Sequence, residues 1–274
     1  MKNLTLGFIG AGNMARSLIG GLIADGYAAR KIWVSDVNGA ALQQMAEHHG
    51  VHTAASNAEV AEHAQVLVLA VKPQMLKDVV RELAPVIQTR HPLLVSIAAG
   101  ITADSIDRWA GGHVAVVRCM PNTPAMVKAG ATGLYANARV TPAQRSQAEA
   151  ILRAVGLTLW VDAEAQLDAV TALSGSGPAY YFLFMEAMAE AGIALGLAPE
   201  TARLLSQQTA LGAGRMAIES AVAPAELRRQ VTSPGGTTER AIAAFEEGGL
   251  RALVGTAMQA AARRAAELSE QLGD

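Results

Sequence analysis

Gly7-Phe8-Ile9-Gly10-Ala11-Gly12-Asn13-Met14-Ala15 carries the clearest fold signal in the chain. It ends a short apolar run, Leu4–Ile9, and opens a helical pattern, Asn13–Asp25. Gly10, Gly12 and Ala15 occupy the three fingerprint positions of a dinucleotide-binding turn. Gly10 permits the tight turn, Gly12 lets the backbone approach a pyrophosphate, and the small Ala15 lets helix and strand pack closely. The N–H groups at the start of the helix attract phosphate. Such a turn is weak evidence alone and strong evidence when it follows the first strand of a strand–helix series.

That series continues outward. Lys31–Ser35, Val66–Val71, Leu93–Ile97 and Val114–Arg118 read as strands bounded by Gly, Pro, Asn or Asp. Gly39–His49, Met75–Ile87 and Ala103–Trp109 read as the helices between them. Strand–helix alternation implies right-handed crossovers and a mostly parallel sheet. The unbroken apolar run Val66–Val71 suits a central strand covered on both faces. Thr132–Ala136, the helix Pro142–Val155 and Thr158–Val161 read as a last addition to the sheet. Beyond Asp162 the strand signals stop, and Ala-rich helical segments follow: Ala163–Leu173, Pro178–Leu197, Pro199–Glu219, Pro224–Val231, Thr237–Glu247 and Leu250–Leu272. The expected architecture is α/β, an N-terminal Rossmann-type doubly wound sheet over residues 1–162 and an all-helical domain over 163–274. Helices rich in Ala, Leu, Met and Gly on more than one face want a partner, so a helical dimer interface is expected.

Composition excludes several classes. The 274 residues carry a net charge of −2 with both signs scattered, so no basic stripe for nucleic acid or a membrane surface is present. Cys119 is the sole cysteine, which rules out an intramolecular disulfide and points to a buried small hydrophobe rather than a nucleophile. Met1-Lys2-Asn3 leads into an apolar run too short for a secretory signal, and Glu186 and Glu190 interrupt the most apolar long segment, 179–198. That segment reads as a buried helix, and a cytoplasmic protein is expected. His48, His49 and His52 lack the partners of a metal site, so no metal is expected. Tyr180, Tyr181, Phe182 and Phe184 read as core packing.

The remaining strand ends assemble a candidate cleft. Ser35-Asp36 closes the second strand, where an acidic residue accepts from the adenosine ribose and disfavours a 2′-phosphate. Ser35 and Asn57, with Arg30 or Lys31, offer the opposite reading, so NADP(H) and NAD(H) both stay open. Asp36 as a plain turn residue is open too. Ala70-Val71-Lys72-Pro73, the loop Ala98-Ala99-Gly100 and Pro121-Asn122-Thr123 leave later strands on the carboxyl edge, where open α/β sheets bind ligands. Near the other end of the chain, Ser233-Pro234-Gly235-Gly236-Thr237-Thr238 precedes a helix. Two glycines before a helix N-terminus make a nest of N–H groups suited to a small carboxylate.

Six segments together resemble pyrroline-5-carboxylate reductase: Gly7–Ala15, Ala70–Pro73, Ser96–Gly100, Arg118–Ala125, Leu173–Tyr180 and Thr232–Ala241. The resemblance spans most of the chain. It implies hydride transfer from NAD(P)H to the imine carbon of L-1-pyrroline-5-carboxylate, giving L-proline. The cofactor residues it implies are Ile9, Gly10, Ala11, Gly12, Asn13, Met14, Ala15, Ser35, Asp36, Asn57, Ala70, Val71, Lys72, Pro73, Ala98, Ala99, Gly100, Pro121, Asn122 and Thr123. The substrate residues are Glu164, Ser176, Gln230, Ser233, Gly235, Gly236, Thr237 and Thr238, with Thr238 at the ring nitrogen as the catalytic candidate. Relatives often carry Asn where Gln230 stands, and His-Pro where Ala223-Pro224 stands. The resemblance also implies a homodimer through the helical domain, with decamers in some relatives. Two rivals remain. A β-hydroxyacid dehydrogenase needs a lysine after the domain junction, and no lysine follows Lys128. A nonenzymatic NAD(P)-sensing protein has no use for the Ser233–Thr238 loop.

Overall fold

The structure is a computed structural model and describes residues 4–273; the reading of Met1–Asn3 lies outside the described residues. Compactness divides the chain into two units, one running to Ser176 and resuming at Ala260, the other spanning Gly177–Gln259. This division falls later than residue 162, because the helix after the last strand packs on the sheet. Leu167 and Val170 press so closely on Gly133 that a Cβ there would lie 2.7 Å from Val170 Cγ1.

The first unit is an eight-stranded sheet. Its strands are β1 (Leu6–Ile9), β2 (Ile32–Ser35), β3 (His52–Thr53), β4 (Val66–Leu69), β5 (Leu93–Ser96), β6 (Val116–Met120), β7 (Gly130–Ala136) and β8 (Gly156–Trp160). The order is β3-β2-β1-β4-β5-β6-β7-β8. Strands β1 to β6 run parallel, β7 pairs antiparallel with β6, and β8 pairs parallel with β7. Helices cover both faces: α1 (Asn13–Ala24), α2 (Gly39–His49), α3 (Asn57–His63), α4 (Pro73–Arg90), α5 (Ala103–Trp109) and α6 (Pro142–Arg153).

Strand alternation distributes the core into two layers. Leu6, Phe8, Ile32, Val34, Val66 and Val68 meet Leu18, Leu22, Met45 and Ile151 on one face. Ile9, Leu67, Leu69 and Leu94 meet Val60, Leu76, Leu83 and Ile106 on the other. The central parallel strands therefore bury both of their faces, which is why β1 and β4 carry no polar side chain and β5 only its last, Ser96. Polar caps start the helices: Asn38 accepts from Ala40 N–H, Ser56 from Glu59 N–H and Thr102 from Ser105 N–H. Strand β3 and helix α3 were not anticipated; β3 is two exposed residues, too short to show a period.

After β8 come a short helix, α7 (Gln166–Val170), and a wide π-type turn, Thr171–Gly175, where one continuous helix was expected. The second unit holds α8 (Gly177–Ala194), α9 (Pro199–Glu219), α10 (Pro224–Gln230) and α11 (Thr237–Glu247). Helix α12 (Leu250–Gly273) begins there and ends in the first unit, where the Ser105 hydroxyl donates to the Gly273 carbonyl at 2.9 Å. Among the described residues no helix is long and apolar enough to cross a membrane.

The reading of 179–198 as a buried helix is corrected. Tyr181 and Phe182 are 68% and 63% exposed, and Leu183, Phe184, Met188 and Ile193 are exposed too. The apolar all-round pattern reports a helix that needs an external partner, which composition alone does not separate from an internal one.

Gly10 adopts φ +104°, and a Cβ there would lie 2.6 Å from the Ala70 carbonyl oxygen. Gly10→Ala is expected to destabilise the protein by about 2 kcal/mol through backbone strain. Urea denaturation of the two proteins checks the value.

Candidate functional site

The order of strands reverses on either side of β1, so the segments that follow the paired ends of β1 and β4 leave to opposite faces of the sheet, α1 to one and α4 to the other, and bound a crevice on the carboxyl edge. The backbone ties this edge together. Gly10 N–H donates to the Ser35 carbonyl at 2.8 Å, and Ala70 N–H donates to the Ile9 carbonyl at 2.8 Å. Ile9, Ala11 and Ala15 are buried behind the turn, while Asn13 and Met14 begin α1. A Cβ on Gly12 would meet nothing within 4 Å, so the N-cap of α1 faces open space. An uncovered helix N-terminus behind a glycine turn fits a pyrophosphate.

Beside the turn, Asp36 is already engaged. Its Oδ2 accepts from Ala11 N–H at 2.6 Å and its Oδ1 from Asn38 N–H at 2.8 Å. Ser35 is buried and donates its hydroxyl to Asn57 Oδ1 at 2.8 Å. Arg30 and Lys31 precede β2, at the opposite edge of the sheet from Asp36. Their expected proximity to this corner is therefore corrected: a strand separates a residue from what precedes it in the chain.

Further along the same edge, Ala70 and Val71 lead to Lys72, the N-cap of α4, with Pro73 in its first turn. Ala98 N–H donates to the Ser96 hydroxyl at 3.3 Å, and the loop passes through Ala99 to Gly100, against Leu268 of α12. Pro121 follows β6, and Thr123 starts a short 3-10 turn, Thr123–Val127. The Asn122 side chain is a structural strut: it accepts from Ala131 N–H at 2.9 Å and donates to the Ser174 carbonyl at 3.0 Å. It thereby fixes the turn at Thr171–Gly175, which leads to Ser176, whose N–H donates to the Thr171 carbonyl.

Arg118 is a residue to which sequence reasoning assigned no role. It lies in mid-β6, buried, and donates to Glu164 Oε1 at 3.1 Å. The same oxygen accepts from Ala103 N–H, in the first turn of α5, at 2.7 Å. One ion pair thus joins the sheet, the helix after the Ala98–Gly100 loop and the approach to α7. The available signal was a charge inside a β-branched run, which a buried strand tolerates only when it is paired. Nearby Asp168 has its carboxyl raised above the ordinary carboxylate range by burial, with Arg118 pulling the other way.

In the second unit, the loop Ser233–Gly236 is exposed or half-exposed and ends at Gly236, the N-cap of α11. Gly235 takes φ +71°, and its N–H donates to Glu239 Oε2 at 2.7 Å. Gly236 N–H returns to the Ser233 carbonyl at 3.0 Å, and Thr237 and Thr238 form the first turn. The nest therefore does hold a carboxylate, supplied by the chain itself. Glu239 was overlooked because a first-turn acid reads simply as a dipole partner. Gln230 ends α10, with its amide 3.5 Å from Glu226 Oε1.

Other singled-out residues have structural settings. Cys119 is buried, which pushes its thiol far up, as expected of a small core residue. His48 and His49 sit in the last turn of α2, and His52 stacks on Trp33 with ring centroids 4.6 Å apart.

A glycine-turned cleft at the switch point of a doubly wound sheet is the arrangement of a dinucleotide-binding protein, and the similarities that follow make that class an NAD(P)-dependent oxidoreductase. A family model for pyrroline-5-carboxylate reductase dimerisation matches residues 164–268, and one described as NADP oxidoreductase coenzyme F420-dependent matches residues 5–100. The pyrroline-5-carboxylate reductase of Pseudomonas aeruginosa is 55% identical over 273 residues, covering 100% of both chains. The solved structure of the Coxiella burnetii reductase is 50% identical, with a TM-score of 0.94, covering 97% of this chain and 98% of that one. That of Plasmodium falciparum, with NADP bound, is 28% identical, with a TM-score of 0.85 over 98% and 99% of the two chains. The chain belongs to the pyrroline-5-carboxylate reductase family.

Glu164→Ala strands Arg118 inside the sheet and removes the acceptor of Ala103 N–H; denaturant titration is expected to show a loss of about 3 kcal/mol. For Asp168, the native state keeps its proton at a pH where the unfolded chain has released it. Stability therefore falls as pH rises from the ordinary carboxylate range through the raised value. Asp168→Asn is expected to flatten that slope in melting curves taken across this window.

Proposed function

We propose that the chain reduces the C=N carbon of L-1-pyrroline-5-carboxylate to give L-proline, with NADP(H) or NAD(H) on the carboxyl edge of its first unit. The contacts assigned to the dinucleotide are Ile9 to Ala15, Ser35, Asp36, Asn57, Ala70 to Pro73, Ala98 to Gly100, and Pro121 to Thr123. For Ser35 and Asn122 the contribution falls to the backbone, since their side chains are bonded elsewhere. Bound there, the reduced nicotinamide supplies the hydride.

The chain's own residues bind and orient. The nest at Ser233, Gly235 and Gly236, with the first-turn amides of Thr237 and Thr238, is assigned to the substrate carboxylate. Thr238 is assigned to the ring nitrogen, as the residue that places it for reaction. A protonated imine accepts hydride far better than a neutral one, so binding the iminium needs no buried protein acid. Glu164, Ser176 and Gln230 enter as substrate contacts on the family resemblance. We assign substrate binding and dimerisation to residues 163–274, dinucleotide binding to 1–162, and a cytoplasmic setting to the whole. The exposed apolar surface of α8 supports a homodimer through this region, with a decamer as the larger assembly.

The observation that supports this reading most is the uncapped start of α11, where the first-turn amides of Thr237 and Thr238 have no partner within the helix, in a chain whose first unit opens with a dinucleotide turn. Purified protein given pyrroline-5-carboxylate and NADH or NADPH is expected to consume the reduced cofactor and form an equal amount of proline. No turnover with either, from folded protein that binds nucleotide, contradicts the proposal and favours a sensing role. Thr238→Ala is expected to lower kcat about ten- to a hundredfold while leaving dinucleotide affinity unchanged. Sedimentation is expected to give the mass of a dimer or a multiple of it; a single-chain mass contradicts the assembly.

A further inference from the structure

We infer that the chain prefers NADH to NADPH and that Asp36 sets the preference, an inference resting on the proposed placement of a nicotinamide dinucleotide on this edge. Asp36 is the residue with which β2 leaves the sheet, next to the turn that faces the pyrophosphate. Its carboxylate is not free to swing aside. One oxygen accepts from Ala11 N–H inside the glycine turn at 2.6 Å, and the other accepts from Asn38 N–H at 2.8 Å. Each oxygen keeps a second lone-pair position, so the group can still take a ribose hydroxyl as a third donor.

A 2′-phosphate at the same place brings about −1.5 to −2 charge beside this fixed anion and offers no proton to it. Among the described residues no cation forms an ion pair with Asp36. Ser35 is buried, and its hydroxyl proton is already given to Asn57 Oδ1. Val37, beside Asp36, is exposed and carries no donor. Lys31 precedes β2, and the rise of a strand puts it about 16 Å from Asp36 along the chain, beyond the reach of its side chain. Arg16 is tied by its Nε to the Ala11 carbonyl at 3.0 Å and lines a cavity with Ser17, Met126 and Lys128, and Lys72 leaves the sheet from β4, two strands away from β2. An acid locked in place by two backbone amides and in no ion pair is the arrangement that admits a ribose diol and repels its phosphate ester.

The test is equilibrium binding of NADH and NADPH to the full chain without substrate, followed by nucleotide fluorescence. Wild type is expected to bind NADH at least about tenfold more tightly, with the gap narrowing as salt rises, because a charge repulsion is screened. Asp36→Asn keeps an acceptor for a backbone N–H and removes the charge; it is expected to bring the two affinities within about threefold, mainly by tightening NADPH. Equal or tighter NADPH binding by wild type overturns the inference, as does an unchanged ratio in the variant. A folded wild type that binds neither dinucleotide overturns the placement of the cofactor and this inference with it. Binding of both nucleotides without turnover leaves the preference measurable and counts against the proposed reaction alone.

Discussion

Where β1 ends, three strands have to be brought within hydrogen-bonding distance of one another while the chain turns into a helix. Gly10 meets that demand with a positive φ and no side chain, so its N–H reaches the Ser35 carbonyl while its own α-carbon closes on the Ala70 carbonyl. From this point the first helix departs with its N-terminus uncovered, and Asp36 is drawn in against Ala11. The crevice, its electropositive floor and the acid at its rim therefore share one origin. A side chain at position 10 pushes the ends of β1 and β4 apart and disturbs all three together.

The two units solve opposite problems. In the first, burial on both faces of the sheet fixes the register, and Arg118 and Asn122 are paired inside it, Arg118 with Glu164 and Asn122 with Ala131 and Ser174, while the Trp109 indole N–H and the Thr158 hydroxyl are buried without a hydrogen-bond partner among the described residues. In the second, the helices leave Tyr181, Phe182, Leu183 and Leu211 exposed, a surface that costs free energy in water and is relieved by association. The loop before α11 is a local case of the same incompleteness. Its amides attract an anion, and Glu239 occupies one of them at 2.7 Å. Substrate binding in the proposed mode falls to the Thr237 and Thr238 amides, which the helix leaves without partners.

Much of this was legible in the residues. The Gly10–Ala15 turn, the unbroken apolar strands and the change to Ala-rich helices fixed the class of fold, because parallel sheets bury both faces and crossovers need helices. What escaped had physical reasons. Strand β3 is too short for any periodicity, and the break in the helix at Thr171 follows from packing on β7 rather than from a helix-breaking residue there. Helix α8 looks the same in sequence whether its partner lies inside the chain or outside it. The corner at Asp36 was ambiguous because sequence places Lys31 five positions away without saying that a whole strand separates the two. Arg118 was hidden for a similar reason: its partner Glu164 is distant in the chain, and only the fold brings them within 3.1 Å.

In the proposed reaction this chain carries a hydride directly from a bound nicotinamide to the imine carbon of a pyrroline carboxylate. Incubation with pyrroline-5-carboxylate and nicotinamide cofactor deuterated at C4, followed by mass spectrometry of the product, tests it most directly. Proline carrying one deuterium, at C5, is expected when the stereospecifically transferred position is the labelled one. Proline formed with no deuterium from either C4 epimer, or no proline at all, would contradict it.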